Sequence, residues 1–293
     1  MPVREIRYEL YAGELEPRWV RFFAIPRFSL QAVWSKWLTT ALLGFGSLQL
    51  VLYTGYLYVV NTPVLKDLLG LGNANLVLGT DRLFQSFLFV QSFIALGVIL
   101  GAGPKLLSPE LRHHALSIIF SRPISRATYF AGKVVAIGSL MTLLTLVQTT
   151  LLFVVMIAVN PPGSAFRAEF FSASVPAYLS AMVYAAMVTA LYGLVPLAAS
   201  AATANAQRAA GIIVAIIFGS SAAGRILAET LDIPTLEALG IVPLLRNAGT
   251  ALLRGTSESD LSPAAMALSF FAWCGALGWF TYRRLRPVDI FEE

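Results

Sequence analysis

The chain has 293 residues, of which 57% are hydrophobic and only 13% charged, and its mean hydropathy is +0.72. Soluble domains carry about 25% charged and about 45–50% apolar residues, so the composition excludes an ordinary water-soluble domain and marks a membrane protein. Net charge is +5, but the basic residues recur at the ends of apolar segments instead of forming one patch. They read as topology signals, not as a nucleic-acid surface, and the single cysteine, Cys274, excludes an internal disulfide or a multi-cysteine metal site.

Taken in order, residues 1–36 form a cytoplasmic or interfacial N-terminal segment. The first long apolar run starts near Trp37, too late for a leader peptide near Met1. Within 17–36, Trp19, Phe22, Phe23, Phe28 and Trp34 alternate with Arg18, Arg21, Arg27 and Lys36. Aromatic and basic residues mixed before a first span fit a helix lying in the membrane interface, with a plain basic topology anchor as the alternative.

Crossing about 30 Å of hydrocarbon takes roughly 20 apolar residues per helix. Six segments qualify: 37–60, 84–103, 134–159, 175–200, 210–227 and 263–282. Together, 37–282 reads as one six-helix transmembrane domain, followed by a short tail over 283–293. Helices are the default because unpaired backbone amides are not tolerated in lipid, and strict barrel alternation is lacking. The fold class expected is therefore all-α, with six transmembrane helices.

Six spans place both termini on one side, and 15 of the 21 basic residues fall there. The positive-inside rule makes that side cytoplasmic. Gly97/Gly101, Ala181/Ala185, Ala186/Ala190 and Ala272/Ala276 are small residues four apart, a spacing that lets helices approach closely.

No Asp, Glu, Lys, Arg or His sits mid-span. That argues against a proton relay, a carboxylate-dependent ion carrier and an intramembrane metalloprotease. Gln85, Gln91, Gln148, Thr145, Thr149, Tyr178 and Tyr184 are the polar residues inside, read first as interhelical hydrogen-bonding groups and second as the lining of a weakly polar path. No nucleotide loop is visible either. The nearest candidate, 127–134, lacks the first glycine and the terminal hydroxyl of a P-loop, and its Lys133 reads as an interfacial anchor.

The connector between the second and third spans, 105–133, is the best-marked polar segment. Ser108 is a good N-cap, Pro109 suits a first turn and Glu110 complements the helix dipole. Leu111, Ala115, Leu116, Ile119 and Phe120 then recur at helical spacing, predicting a short amphipathic helix over 110–121 that ends before Pro123. His113 and His114 point about 100° apart on such a helix and lack acidic or cysteine companions, so they do not make a metal site. Ser117, Ser121 and Ser125 have no base or oxyanion hole beside them. A docking surface is the reading left.

The run Glu110-x-x-x-His114-Ala115, then Phe120-Ser121-Arg122-Pro123-Ile124-Ser125-Arg126, Tyr129 and Gly132-Lys133, resembles a loop of type-2 ABC exporter permeases. There the loop between helices 2 and 3 commonly reads E-x-x-x-G-T-x-x-x-L-L-S-x-P-[IV]-S-R, then an aromatic and G-K. His114-Ala115 stands where Gly-Thr is usual. The resemblance implies that the loop is a coupling helix seated in a separate ABC ATPase subunit, which would bind ATP and Mg; no cofactor is expected in this chain. It further implies a second permease copy or homologue, and a bacterial or archaeal cytoplasmic membrane. The partner-binding residues it points to are Glu110, Arg112, His113, His114, Arg122 and Arg126. The N-terminal segment would match the family's connecting helix. The outer segment 228–262, with apolar runs at 236–242 and 244–253, would supply short helices capping the pathway, or else a surface subdomain. Two other readings stand beside this one: a non-transporting membrane scaffold holding a soluble partner, and a membrane-embedded enzyme, which lacks a visible acid, base or nucleophile constellation.

Overall fold

A computed structural model describes residues 18–34, 37–70, 79–113, 115–120, 124–159, 164–254 and 261–285. The described residues form helices, turns and short linkers, with no strand among them. Six helical runs among them are long and apolar enough to cross a membrane: Thr39–Asn61, Thr80–Arg112, Arg126–Val159, Ser174–Ala202, Ala206–Leu231 and Pro263–Arg284. Each overlaps one predicted span. The runs extend past the predictions mostly at their ends, where helices continue into polar sequence that an apolar window rejects. The protein is an all-helical integral membrane protein.

The helices are α1 (Arg18–Trp34), α2 (Trp37–Asn61), α3 (Pro63–Leu68), α4 (Thr80–Ala102), α5 (Ser108–Arg112), α6 (Ala115–Phe120), α7 (Arg126–Leu144), α8 (Leu146–Val159), α9 (Ser164–Ala202), α10 (Ala206–Val214), α11 (Ser220–Leu231), α12 (Ile241–Arg254) and α13 (Pro263–Arg284). The third span breaks at Thr145 between α7 and α8. The fifth carries a π-helical turn, Ala215–Gly219, between α10 and α11; such turns accommodate one extra residue in a helix.

Helix α9 is the hub, packing against α4, α7, α8, α10, α12 and α13. Ala181, Ala185, Val188, Leu191, Val195, Leu197 and Ala199 are all fully buried on it. Small side chains let so many neighbours approach one helix, because tight van der Waals packing drives association in lipid. Of the four small-residue pairs, only Ala181/Ala185 is fully enclosed. Ala272 and Ala276 are exposed, as is Ala186, and Gly97 meets only the Leu42 side chain.

Polar side chains stitch the bundle internally. Gln49 donates to the Phe87 carbonyl at 2.8 Å. Gln91 donates to the Leu144 carbonyl beside the Thr145 break and to Gln148 Oε1 at 2.9 Å. Thr145 and Thr189 share a hydrogen bond at 2.9 Å, and so do Thr150 and Tyr178 at 3.1 Å. Gln91, Gln148, Thr145 and Tyr178 thus bond between helices, as expected, whereas Thr149 bonds back to Thr145 O on its own span. Gly46 passes within reach of Leu144, Gln91 and Gln148, where a Cβ would sit 2.7 Å from Leu144 Cδ1.

Among the described residues, 228–254 fold back into a cap on the bundle. Asp232, in the left-handed region at φ 53°, ends α11. A 3₁₀ turn, Pro234–Leu239, follows and leads into α12. Gly240 crosses α11 so closely that a Cβ would lie 2.7 Å from Ser221 Cα. Ser220 and Ser221 accept hydrogen bonds from the Ile241 and Val242 amides, supplying partners for the first free N–H groups of α12. Leu244, Leu245, Ala248 and Leu253 are buried, and α12 packs on α4, α9 and α13. Trp273 of α13 donates to the Leu239 carbonyl at 2.9 Å, closing the cap.

Candidate functional site

The connector leaves α4 through a 3₁₀ turn, Gly103–Lys105, in which Pro104 occupies an early position. Gly103 is wedged against α9: a Cβ there would lie 2.3 Å from Pro196 Cβ, a distance no side chain can occupy. Pro109 then opens α5 from its first turn, where its missing N–H costs nothing. Ser108 does not cap this helix as expected. Leu107 holds that position, and Ser108 is buried, its hydroxyl donating to the Ser200 carbonyl at the end of α9 at 3.2 Å.

The single helix predicted over 110–121 is two short ones. Helix α5 stops at His113, whose φ −97° and ψ 12° lie in the bridge region. The break lets two apolar surfaces turn toward different neighbours. Leu106 and Leu107 are buried beside α5, which packs on α9 and α10. Leu116 of α6 is buried too, and Phe120 meets the Tyr129 ring edge-on at 5.6 Å.

At the centre of the connector lies a charged cluster. Lys133 Nζ meets Glu110 Oε1 at 2.6 Å and also donates to the Leu106 carbonyl at 2.9 Å. The Tyr129 hydroxyl donates to Glu110 Oε2, and Lys133 stands 5.5 Å from the Tyr129 ring centre. Tyr129 and Lys133 are four apart on α7 and so share a face. The Lys133 side chain is 4% exposed and that of Glu110 28%. Lys133 is therefore no interfacial anchor. It lies inside, because a carboxylate and a carbonyl satisfy its ammonium, as a buried charge requires.

Gly132, between these two α7 residues, touches α1: a Cβ would lie 2.8 Å from Ile25 Cγ2. Helix α1 precedes the first span and packs along α7. On the other side of α7, Phe130 meets Tyr282 of α13 at 6.2 Å. Five helices, α1, α4, α7, α9 and α13, thus converge at the end of the bundle where the connector sits.

The six expected partner-binding residues separate into three groups. Glu110 turns inward and holds the connector to α7. Arg112, His113 and Arg126 are exposed at the same end, together with Ile118, which is 66% exposed. His114 and Arg122 lie outside the described residues, as do Ser121 and Pro123. Ser125 caps α7 by accepting from the Thr128 amide at 3.1 Å.

Sequence reasoning did not assign Tyr129, Lys133 and Ser108 their positioning roles. The usable signal was an aromatic and a lysine four apart at the start of an apolar helix, opposite a single acid in the preceding connector. The arrangement is a set of packing and hydrogen-bond contacts that fix the connector in place. It makes α5 mechanically continuous with α7, through the ion pair, and with α9, through Ser108 and Gly103. No family model matches the chain, and no curated protein matches it either.

Proposed function

We propose that the chain is the transmembrane permease subunit of an ATP-driven exporter of the type-2 ABC kind. The observation that carries this reading is the clamped connector. A short helix is tied to two spans by a buried ion pair and a glycine–proline contact, yet Arg112 and His113 at its end and Arg126 at the start of α7 face outward. A partner pulling on that face would move α7 and α9 as a unit, the rigid-body coupling that switches a bundle between two states. The motif of the connector supports the same reading, as does the concentration of basic residues at this end, which fits a cytoplasmic face.

In this reading ATP and Mg are bound by a separate ATPase subunit, and two permease copies complete the unit. The uncharged, weakly polar spans suit a lipid-like or amphipathic cargo better than a strongly charged one. Glu110 positions the coupling helix, and the exposed residues dock the partner.

The test is to purify the chain with its natural partner and reconstitute the complex. The partner is expected to contain a P-loop, with ATPase activity that depends on this chain. Reversing the two exposed charges, Arg112→Glu with Arg126→Glu, should abolish that dependence while membrane insertion persists. Unchanged ATPase coupling in the double variant would defeat the docking assignment. A bound partner without a P-loop would make the chain a scaffold instead.

A further inference from the structure

At the end opposite the connector, a cavity of about 250 Å³ opens between α4, α9 and α12. Its wall includes Arg82, Gln85 and Phe89 of α4, Tyr184 of α9, and Arg246 and Gly249 of α12. Both arginines are exposed. Gly249 keeps the cap close, since a Cβ there would come within 3.2 Å of the Tyr184 ring.

Three features of this cavity bear on what it could hold. Arg82 lies in the first turn of α4, where the helix dipole disfavours a cation, and it has no ion-pair partner among the described residues. Gln85 Oε1 is buried without a hydrogen-bond partner, although buried carbonyl oxygens are normally satisfied. Phe89 and Phe93 are 52% and 59% exposed and meet edge-on at 5.0 Å, forming an aromatic strip that runs from the cavity along α4.

We infer that this cavity binds the phosphate headgroup of an anionic amphiphile, whose hydrocarbon chain lies along Phe89 and Phe93. The guanidinium of Arg82, with Arg246 on the same wall, supplies the positive charge that a phosphate's oxygens seek. Gln85 Oε1 selects a headgroup that brings a donor of its own, such as a glycerol hydroxyl. The volume suits a headgroup and leaves no room for acyl chains, because whole-ligand pockets run from about 300 Å³ upward. Binding here needs neither the ATPase nor transport, so it stands or falls apart from the exporter reading.

The experiment uses the purified full chain in detergent, titrated with dioctanoyl phosphatidylglycerol, dioctanoyl phosphatidylcholine or inorganic phosphate, and read by thermal unfolding and native mass spectrometry. Phosphatidylglycerol should bind and raise the unfolding temperature, while the other two should not. Arg82→Gln should weaken phosphatidylglycerol binding about tenfold or more, the loss of one charge-assisted contact. Arg225→Gln, an exposed arginine on α11, should bind as the unaltered chain does. A photoreactive phosphatidylglycerol should label residues 82–93 in the unaltered protein, a readout independent of any variant's folding. Equal response to phosphatidylcholine, unchanged binding in Arg82→Gln, or labelling elsewhere would overturn the assignment. A full response to inorganic phosphate would overturn the amphiphile and leave a free-anion site.

Discussion

Removing either partner of the Glu110–Lys133 pair should destabilise the protein unequally, and removing both should restore part of the loss. Glu110→Ala leaves an ammonium that is 4% exposed with the Leu106 carbonyl as its remaining hydrogen-bond acceptor, and breaking a buried pair this way costs about 3–5 kcal/mol. Lys133→Met leaves a carboxylate that is 28% exposed, reachable by water and still bonded by Tyr129, so the loss falls to about 1–2 kcal/mol. The double variant contains no stranded charge and should cost well under the combined losses. The resulting coupling energy is about 2–3 kcal/mol, at the upper end for residues in direct contact. Unfolding of the four proteins in mixed detergent–SDS micelles, followed by tryptophan fluorescence, measures the cycle. Additive losses in the double variant, or a larger loss for Lys133→Met than for Glu110→Ala, would refute the reasoning.

Two further outcomes are expected from the same unfolding assay. Gly103→Ala forces a Cβ to 2.3 Å from Pro196 and should cost about 1–3 kcal/mol by overpacking, whereas Gly44→Ala, with nothing within 4 Å, should introduce no clash and no such loss. Gln91→Leu removes the donor to Leu144 O and to Gln148; interhelical hydrogen bonds in membranes average about 0.6 and reach about 1.7 kcal/mol, so a loss of about 1–2 kcal/mol follows. Adding Gln148→Leu should recover part of it by removing the stranded amide.

The connector shows where reading by periodicity runs out. Apolar spacing places Leu111, Leu116 and Phe120 on the inner side of a helix, and it correctly leaves Arg112 and His113 outside. It describes one element at a time, however, and carries no information about what stands opposite. Glu110 therefore reads as a first-turn acid and a docking residue, although Lys133 and Tyr129 stand across from it on α7. The cap over 228–254 was harder still. Its two apolar runs were visible, but their folding back depends on Gly240 crossing α11 and on two serine caps, contacts between residues about twenty apart.

The chain's own order of residues determined that it spans a membrane six times as helices. Each span is a local property: a run of about twenty apolar residues must satisfy its backbone internally once water is gone. Only the tertiary structure decided which helix became the hub, which way Glu110 turned, and that Arg82 and Arg246 share one cavity. Those outcomes depend on pairs of surfaces brought together from distant parts of the chain. In lipid, where apolar character alone does not tell one helix face from another, close glycine contacts and matched polar groups settle such pairings.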